Sequence, residues 1–107
     1  MGISTHVLDT AKGRPAGGIP VTLELRTGTT WTGVGRGVTD ADGRLKGLLD
    51  GSGFVAGTYR LTFDTAGYQP GAFFPEVSIV FTVSDTAQHY HVPLLLSPFG
   101  YSTYRGS

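Results

Sequence analysis

The chain has no cysteine among its 107 residues. That excludes disulfides, thiolate nucleophiles and cysteine-based zinc sites together, so any chemistry falls to His, Arg, Tyr, Ser, Thr or the carboxylates. Charge is also sparse and of neither sign in excess, with eight Lys plus Arg against eight Asp plus Glu. It is scattered without a basic stripe, which argues against nucleic acid or an anionic membrane as partner. No apolar run approaches the length of a membrane span, and no charged segment followed by an apolar one precedes the first strand pattern. The expectation is a cytoplasmic protein with a small-molecule partner, and a chain of this size buries one core without covalent staples.

Glycine, in contrast, is abundant: seventeen glycines and six prolines divide the chain into short pieces, most of them alternating as strands do. Residues 3–9 read as a first strand, followed by a turn-rich run over 10–18. Val21, Leu23 and Leu25 then alternate with Thr22, Glu24 and Arg26, the period of a strand with one buried face. Residues 31–38 form a third strand whose Gly33, Gly35 and Gly37 share a face, as in a twisted edge or one that a neighbouring chain approaches closely.

Asp40-Ala-Asp-Gly-Arg44 is a tight turn, because Gly43 supplies a positive φ without steric cost. Its Asp-x-Asp-Gly begins like a calcium loop but lacks the later oxygen ligands and the closing Glu, so no calcium is expected. Two further half-buried strands are marked by Tyr59, Leu61 and Phe63 and by Val77, Ile79, Phe81 and Val83. Between them Thr65–Tyr68 has room for at most one short helical turn before Pro70 and Gly71. Residues 89–96 and 101–105 supply the last strands. Residues 1–107 are therefore read as one all-β domain, a two-sheet sandwich of about eight strands.

Side chains alternate sides along a strand, and the run at 89–96 has two unlike faces. Tyr90, Val92, Leu94 and Leu96 form an apolar row that points into the core. His89, His91, Pro93 and Leu95 form the other, a combination ill suited to open water and expected to lie against another subunit. Ser4, His6 and Leu8 share a side of the first strand, and Ser102 and Tyr104 a side of the last. If these strands are neighbours, His6, His91 and Tyr104 line one concave patch. His89, His91 and His6 also have the makings of a three-histidine zinc site, but no carboxylate on those rows would orient the rings. Taken singly, each histidine is more often a satisfied edge residue, Arg44 a solvated cation and Arg105 part of a frayed tail.

Together these segments resemble the 5-hydroxyisourate hydrolase branch of the transthyretin-like family. That branch is marked by a Ser-Thr-His-Val-Leu-Asp opening, an Asp-Gly-Arg turn and a Tyr-Arg-Gly-Ser ending; the chain has Ser4 to Asp9, Asp42-Gly-Arg44 and Tyr104-Arg-Gly-Ser107. Phe74-Pro-Glu-Val77 and His91-Val-Pro-Leu-Leu-Leu-Ser-Pro98 extend the likeness over essentially the whole chain. The resemblance implies a transthyretin-like sandwich assembled as a homotetramer, a dimer of dimers, with active sites in the channel where dimers meet.

It further implies an enzyme of purine catabolism that adds water across a ring amide of 5-hydroxyisourate, a product of urate oxidation, to give 2-oxo-4-hydroxy-4-carboxy-5-ureidoimidazoline without metal or cofactor. Carried over residue by residue, the catalytic set is His6, Arg44, His91 and Tyr104, with His6, Arg44, Arg105 and Ser107 against the substrate. Which histidine is the base stays open. The alternative is a transthyretin-like carrier of a small aromatic ligand; the carrier branch lacks this His/Arg/His set and the Tyr-Arg-Gly-Ser ending. A structural module of a secreted assembly is a third reading, disfavoured by the short, signal-free chain.

Overall fold

The computed structural model describes residues 2–106 as two packed β-sheets. The strands are β1 (Gly2–Asp9), β2 (Arg14–Pro15), β3 (Pro20–Thr27), β4 (Thr30–Val38), β5 (Arg44–Asp50), β6 (Gly57–Asp64), β7 (Glu76–Val83), β8 (Tyr90–His91), β9 (Leu94–Ser97) and β10 (Gly100–Thr103). A 3₁₀ turn at Gly51–Gly53 is the only helical element among the described residues. β4, β3, β6 and β7 form one antiparallel sheet in that order. The other is built around β1, which is flanked by β5 and β2 on one side and runs parallel to β8 and β9 on the other, with β10 at the edge.

The all-β sandwich read from the alternation is therefore the observed fold, and the higher strand count has local causes. Residues 90–97 act as one strand beside β1, interrupted where Pro93 has no N–H to give the ladder. The buried Thr5 hydroxyl repairs the gap by donating to the Val92 carbonyl at 2.7 Å. β5 is not announced by an alternating pattern because Gly47, at φ +68°, bulges it. Ile3 pairs with Leu49 and Thr5 with Leu45, so three residues of β5 face the single Ser4. The last strand stops at Thr103 instead of running to Arg105, and the tail crosses to pair Gly106 with His91.

Between the sheets lie Ile3, Val7, Tyr90, Val92, Leu94 and Leu96 from one side and Val21, Leu23, Tyr59, Leu61, Phe63 and Val77 from the other, all buried. Each such side chain contributes about 1.5–3 kcal/mol of transfer free energy. The Tyr59 hydroxyl, which burial would otherwise strand, donates to the Val55 carbonyl at 2.6 Å. Thr65 to Tyr68 makes a single turn, closed by Gln69 N–H donating to the Thr65 carbonyl. Tyr68 then ties this turn to β1, its hydroxyl donating to Asp9 at 2.6 Å. Burial pushes the Tyr68 phenol up to about 12, with the Asp9 carboxylate adding to the effect. Burial acts to raise Asp9 as well, but the Tyr68 and Lys12 hydrogen bonds and the Lys12 charge prevail and hold its carboxyl below the ordinary value.

One expectation is corrected. Gly33, Gly35 and Gly37 do not share a face, because a bulge sets Gly35 opposite Leu23 but Gly33 opposite Glu24, with Val34 extra. Gly35 and Gly37 face inward against β5, where a Cβ on Gly35 would overlap the Leu48 carbonyl; a Cβ on Gly33 would meet nothing. Gly35→Ala should thus lower the unfolding free energy by about 1–3 kcal/mol in urea titrations, and Gly33→Ala should change it by less than about 0.5 kcal/mol. Equal effects would refute the bulge.

Candidate active site

Register places the chemistry. His6 is the direct cross-strand partner of Arg44 on β5, and Ser4 is that of His91 on β8. Ser4 and His6 are two residues apart on the central strand, so all four side chains share the outer face of the sheet. An open cavity of about 280 Å³ on this face is lined by Ser4, Thr5, Arg44, Lys46, His89 and His91.

The Asp40–Arg44 turn is built to hold this arrangement. The Asp40 carboxylate accepts the backbone N–H groups of Asp42 and Arg44, both at 2.9 Å, so its charge is spent on the turn and not on a cation. Gly43, at φ +73°, packs where a Cβ would overlap the Val7 carbonyl, and its own carbonyl accepts the Val7 N–H. The turn thereby fixes Arg44 beside β1 and leaves the Asp42 carbonyl free to face His6. His6 donates Nε2–H to that carbonyl at 2.8 Å. A carbonyl only accepts, so Nε2 of His6 carries a hydrogen, and in the ring's neutral form Nδ1 is the bare nitrogen.

His91 is half-buried, with Nδ1 2.9 Å from the Ser4 hydroxyl, which also lies 2.8 Å from His89 Nε2. Burial pushes the His91 imidazole below its ordinary value, and the positive potential of His6, Arg44 and His89 pushes it further. An imidazole pushed toward its neutral form, in a cavity shared with Arg44 and Lys46, is suited to taking a proton while the basic side chains hold an oxyanion. The three histidines do not converge on a common point: His89 and His91 turn to Ser4 and His6 turns to a carbonyl. Among the described residues no three His, Asp or Glu side chains gather as ligands.

The tail takes a different course. Gly106 N–H donates to the His91 carbonyl at 2.8 Å, and a Cβ at this position would stand 2.7 Å from His91 Cδ2, so only glycine lets the tail close over the ring. The Arg105 guanidinium stacks on the Tyr90 ring at 4.4 Å and donates to Gln88 Oε1 at 2.6 Å. Tyr104 is exposed and lines, with Arg105, a neighbouring groove of about 250 Å³ against Val80 and Phe81. Within one chain, then, the structure brings together His6, Arg44 and His91 and sets the side chains of Tyr104 and Arg105 apart from them. Ser107 lies outside the described residues. Ser4 and Lys46 were not anticipated as members of the site, and His89 was weighed only as a zinc ligand. Each stands two residues from one that was anticipated, on the same strand face, which is the signal that could have found them.

A larger groove, about 670 Å³, is on the outer face of the other sheet, among Thr22, Arg36, Thr62, Ser78, Glu76 and the Glu24–Arg60 pair. It holds no imidazole to activate its Ser and Thr hydroxyls or a water, so size does not outweigh chemistry here.

A family model described as the HIUase/Transthyretin family matches residues 3–106. The uric acid degradation bifunctional protein TTL of Arabidopsis thaliana is 51% identical over 98% of the chain, which spans only 37% of that protein's length. The 5-hydroxyisourate hydrolase of Deinococcus radiodurans is 48% identical over 99% of the chain and 96% of its own length. Among solved structures, sea bream transthyretin in complex with thyroxine superposes with a TM-score of 0.91 at 35% identity, over 97% of this chain and 93% of its own.

His91 should titrate below the ordinary imidazole value of 6.5 in an NMR pH series. Its folded pKa lies under its unfolded one, so the chain unfolded takes up more protons between the two. Stability is therefore full above 6.5 and falls as pH drops through 6.5 toward the depressed value. Replacing His91 with Asn should flatten that part of the stability curve in urea titrations at pH 5 to 7.

Proposed function

The chain belongs to the HIUase/transthyretin family, and from that premise we propose that it hydrolyses 5-hydroxyisourate, opening a ring amide with water. The observation that carries the reading is the convergence of His6, Arg44 and His91 on one open sheet face by direct strand register. The likeness to a thyroxine-bound transthyretin means that the fold alone does not separate enzyme from carrier. Titratable groups beside fixed cations support the enzyme, since a carrier has no need of a neutral, cation-flanked imidazole.

In the reaction, His91 takes a proton from water as the water oxygen bonds to the amide carbon. The tetrahedral oxyanion forms against Arg44, with Lys46 adding positive potential. The carbon–nitrogen bond then breaks, and the ring nitrogen leaves with a proton returned from imidazole. His6, held by the Asp42 carbonyl with Nδ1 free, orients the water or substrate.

Assembly belongs to the same proposal. β10 and β7 are unpaired sheet edges, Val80 and Tyr104 beside them are exposed, and Leu8 and Leu95 lie half-buried on the histidine face. These features support a homotetramer, a dimer of dimers whose channel is lined by that face. Tyr104, Arg105 and Ser107 complete the wall where chains meet, contacting the substrate's oxygens. A cytoplasmic setting, in which a fold without disulfides loses nothing, goes with this reading.

The test is the ultraviolet absorbance of freshly generated 5-hydroxyisourate with and without protein; unchanged decay would eliminate the enzyme reading. His6→Asn and His91→Asn should each cost about a hundredfold in rate, as positioned acid-base groups do.

A second prediction concerns the tail. Deleting residues 104–107 should abolish hydrolysis while leaving a cooperatively melting tetramer, because the core row Tyr90, Val92, Leu94 and Leu96 is untouched and the β7 and β10 edges, Val80, Leu8 and Leu95 remain for assembly. A light-scattering mass of one chain at micromolar concentration would refute the assembly, and normal turnover by a truncated tetramer would remove the tail from the mechanism.

A further inference from the structure

Ser4 is 5% exposed, and its hydroxyl oxygen sits between two imidazole nitrogens, His89 Nε2 at 2.8 Å and His91 Nδ1 at 2.9 Å. A serine hydroxyl owns one hydrogen and so donates to one ring at a time. When it donates to His89, His91 must supply Nδ1–H to the oxygen, and its Nε2 is left as a bare lone pair. When it donates to His91, His89 must supply Nε2–H, and the His91 hydrogen resides on Nε2. Both rings donating at once would leave a buried hydroxyl hydrogen without an acceptor. The orientation of one O–H bond therefore decides whether His91 faces the cavity as a base or as an acid.

Resting on the hydrolytic reading above, we propose that Ser4 is a positioning residue whose single hydroxyl hydrogen, shared between His89 and His91, switches His91 Nε2 between proton acceptor and proton donor, with His89 as the solvent-side end of the relay. The protons balance. Water gives one to the bare Nε2. The Nδ1 proton then moves to Ser4 Oγ while Ser4 passes its own to His89 Nε2, so His91 is neutral with its hydrogen on Nε2. As that hydrogen goes to the departing ring nitrogen, the relay reverses and restores the starting state. The net transfer is one proton from water to nitrogen.

Three features of the site support this relay. His89 is exposed, so water solvates the positive charge that burial disfavours on His91. Among the described residues the groups facing His91 are His6 from β1, Arg44 and Lys46 from β5 and His89 itself, and none of these is an anion that would stabilise an imidazolium in place. The competing hydroxyl, Thr5, is committed to the Val92 carbonyl.

Replacing the exposed His89 by a residue that only accepts or only donates forces the switch one way. In the full-length protein at pH 8.5, nitrogen-15 NMR of the His91 ring should find the hydrogen on Nδ1 in His89→Glu and on Nε2 in His89→Lys. The Lys variant should have a kcat about tenfold or more below that of the Glu variant, with KM changed less than about twofold. Adding Ser4→Ala to each should erase both differences. The same tautomer in both His89 variants, or a difference that survives loss of Ser4, overturns the relay. The tautomer is read without substrate, so opposed tautomers in a protein that leaves 5-hydroxyisourate decay unchanged would uphold the relay and sink the hydrolytic reading instead.

Discussion

Without the parallel ladder between the first strand and the run at residues 90–97, neither the core nor the site would exist. A parallel pair between the two ends of a chain closes the longest loop available and is entropically the most expensive contact to form. It is held by Val92 N–H donating to the Ser4 carbonyl, by Thr5 donating back to Val92, and by the apolar row of β8 and β9 beneath. The same ladder that buries Tyr90 and Leu94 inward necessarily sets Ser4 beside His91 outward, because adjacent residues on a strand point to opposite faces. Stability and chemistry are two sides of one register, and a one-residue slip would exchange them.

That coupling explains what the sequence reveals and what it hides. The core rows at 21–25, 59–63, 77–83 and 90–96 are legible because a period of two survives wherever strands pair regularly. The irregular strand at 44–50 is not, because a bulge breaks its period, and neither is the last strand's true end at Thr103, where the tail leaves the ladder to pair with His91. Gly33 is the clearest case: its spacing from Gly35 and Gly37 predicts one face, and a single inserted residue turns it to the other. His6 and His91 were legible together through their strand faces, and Arg44 joined them only through the family likeness. Ser4 was visible in the row with His6, yet nothing in a linear sequence says that its hydroxyl would fall between two rings 85 and 87 residues away.

The tail poses the opposite problem, a strong sequence signal with a modest place in one chain. Gly106 closes over His91 and Arg105 stacks on Tyr90, so the ending is ordered by contacts to β8. Yet Tyr104 and Arg105 point into the groove beside β7, an unpaired edge. Side chains held in order but left exposed at an edge are what a subunit boundary requires, and the proposed tetramer gives them a second surface to meet.

What separates a catalytic version of this sandwich from a carrying one is then a matter of polarity on a single face, not of architecture. A channel that only holds an aromatic ligand gains most from apolar walls, whereas a channel that hydrolyses an amide must keep an imidazole neutral, keep cations close and still give the proton an exit. These demands conflict, since the burial and positive charge that keep His91 neutral also make its protonated state costly in mid-reaction. A buried serine linking that ring to an exposed one resolves the conflict: the charge spends little time where it is disfavoured. The bulge in β5 fits the same logic. By setting three residues against Ser4, it lets Arg44 and Lys46 crowd the cavity without pressing on the one hydroxyl that both imidazoles share.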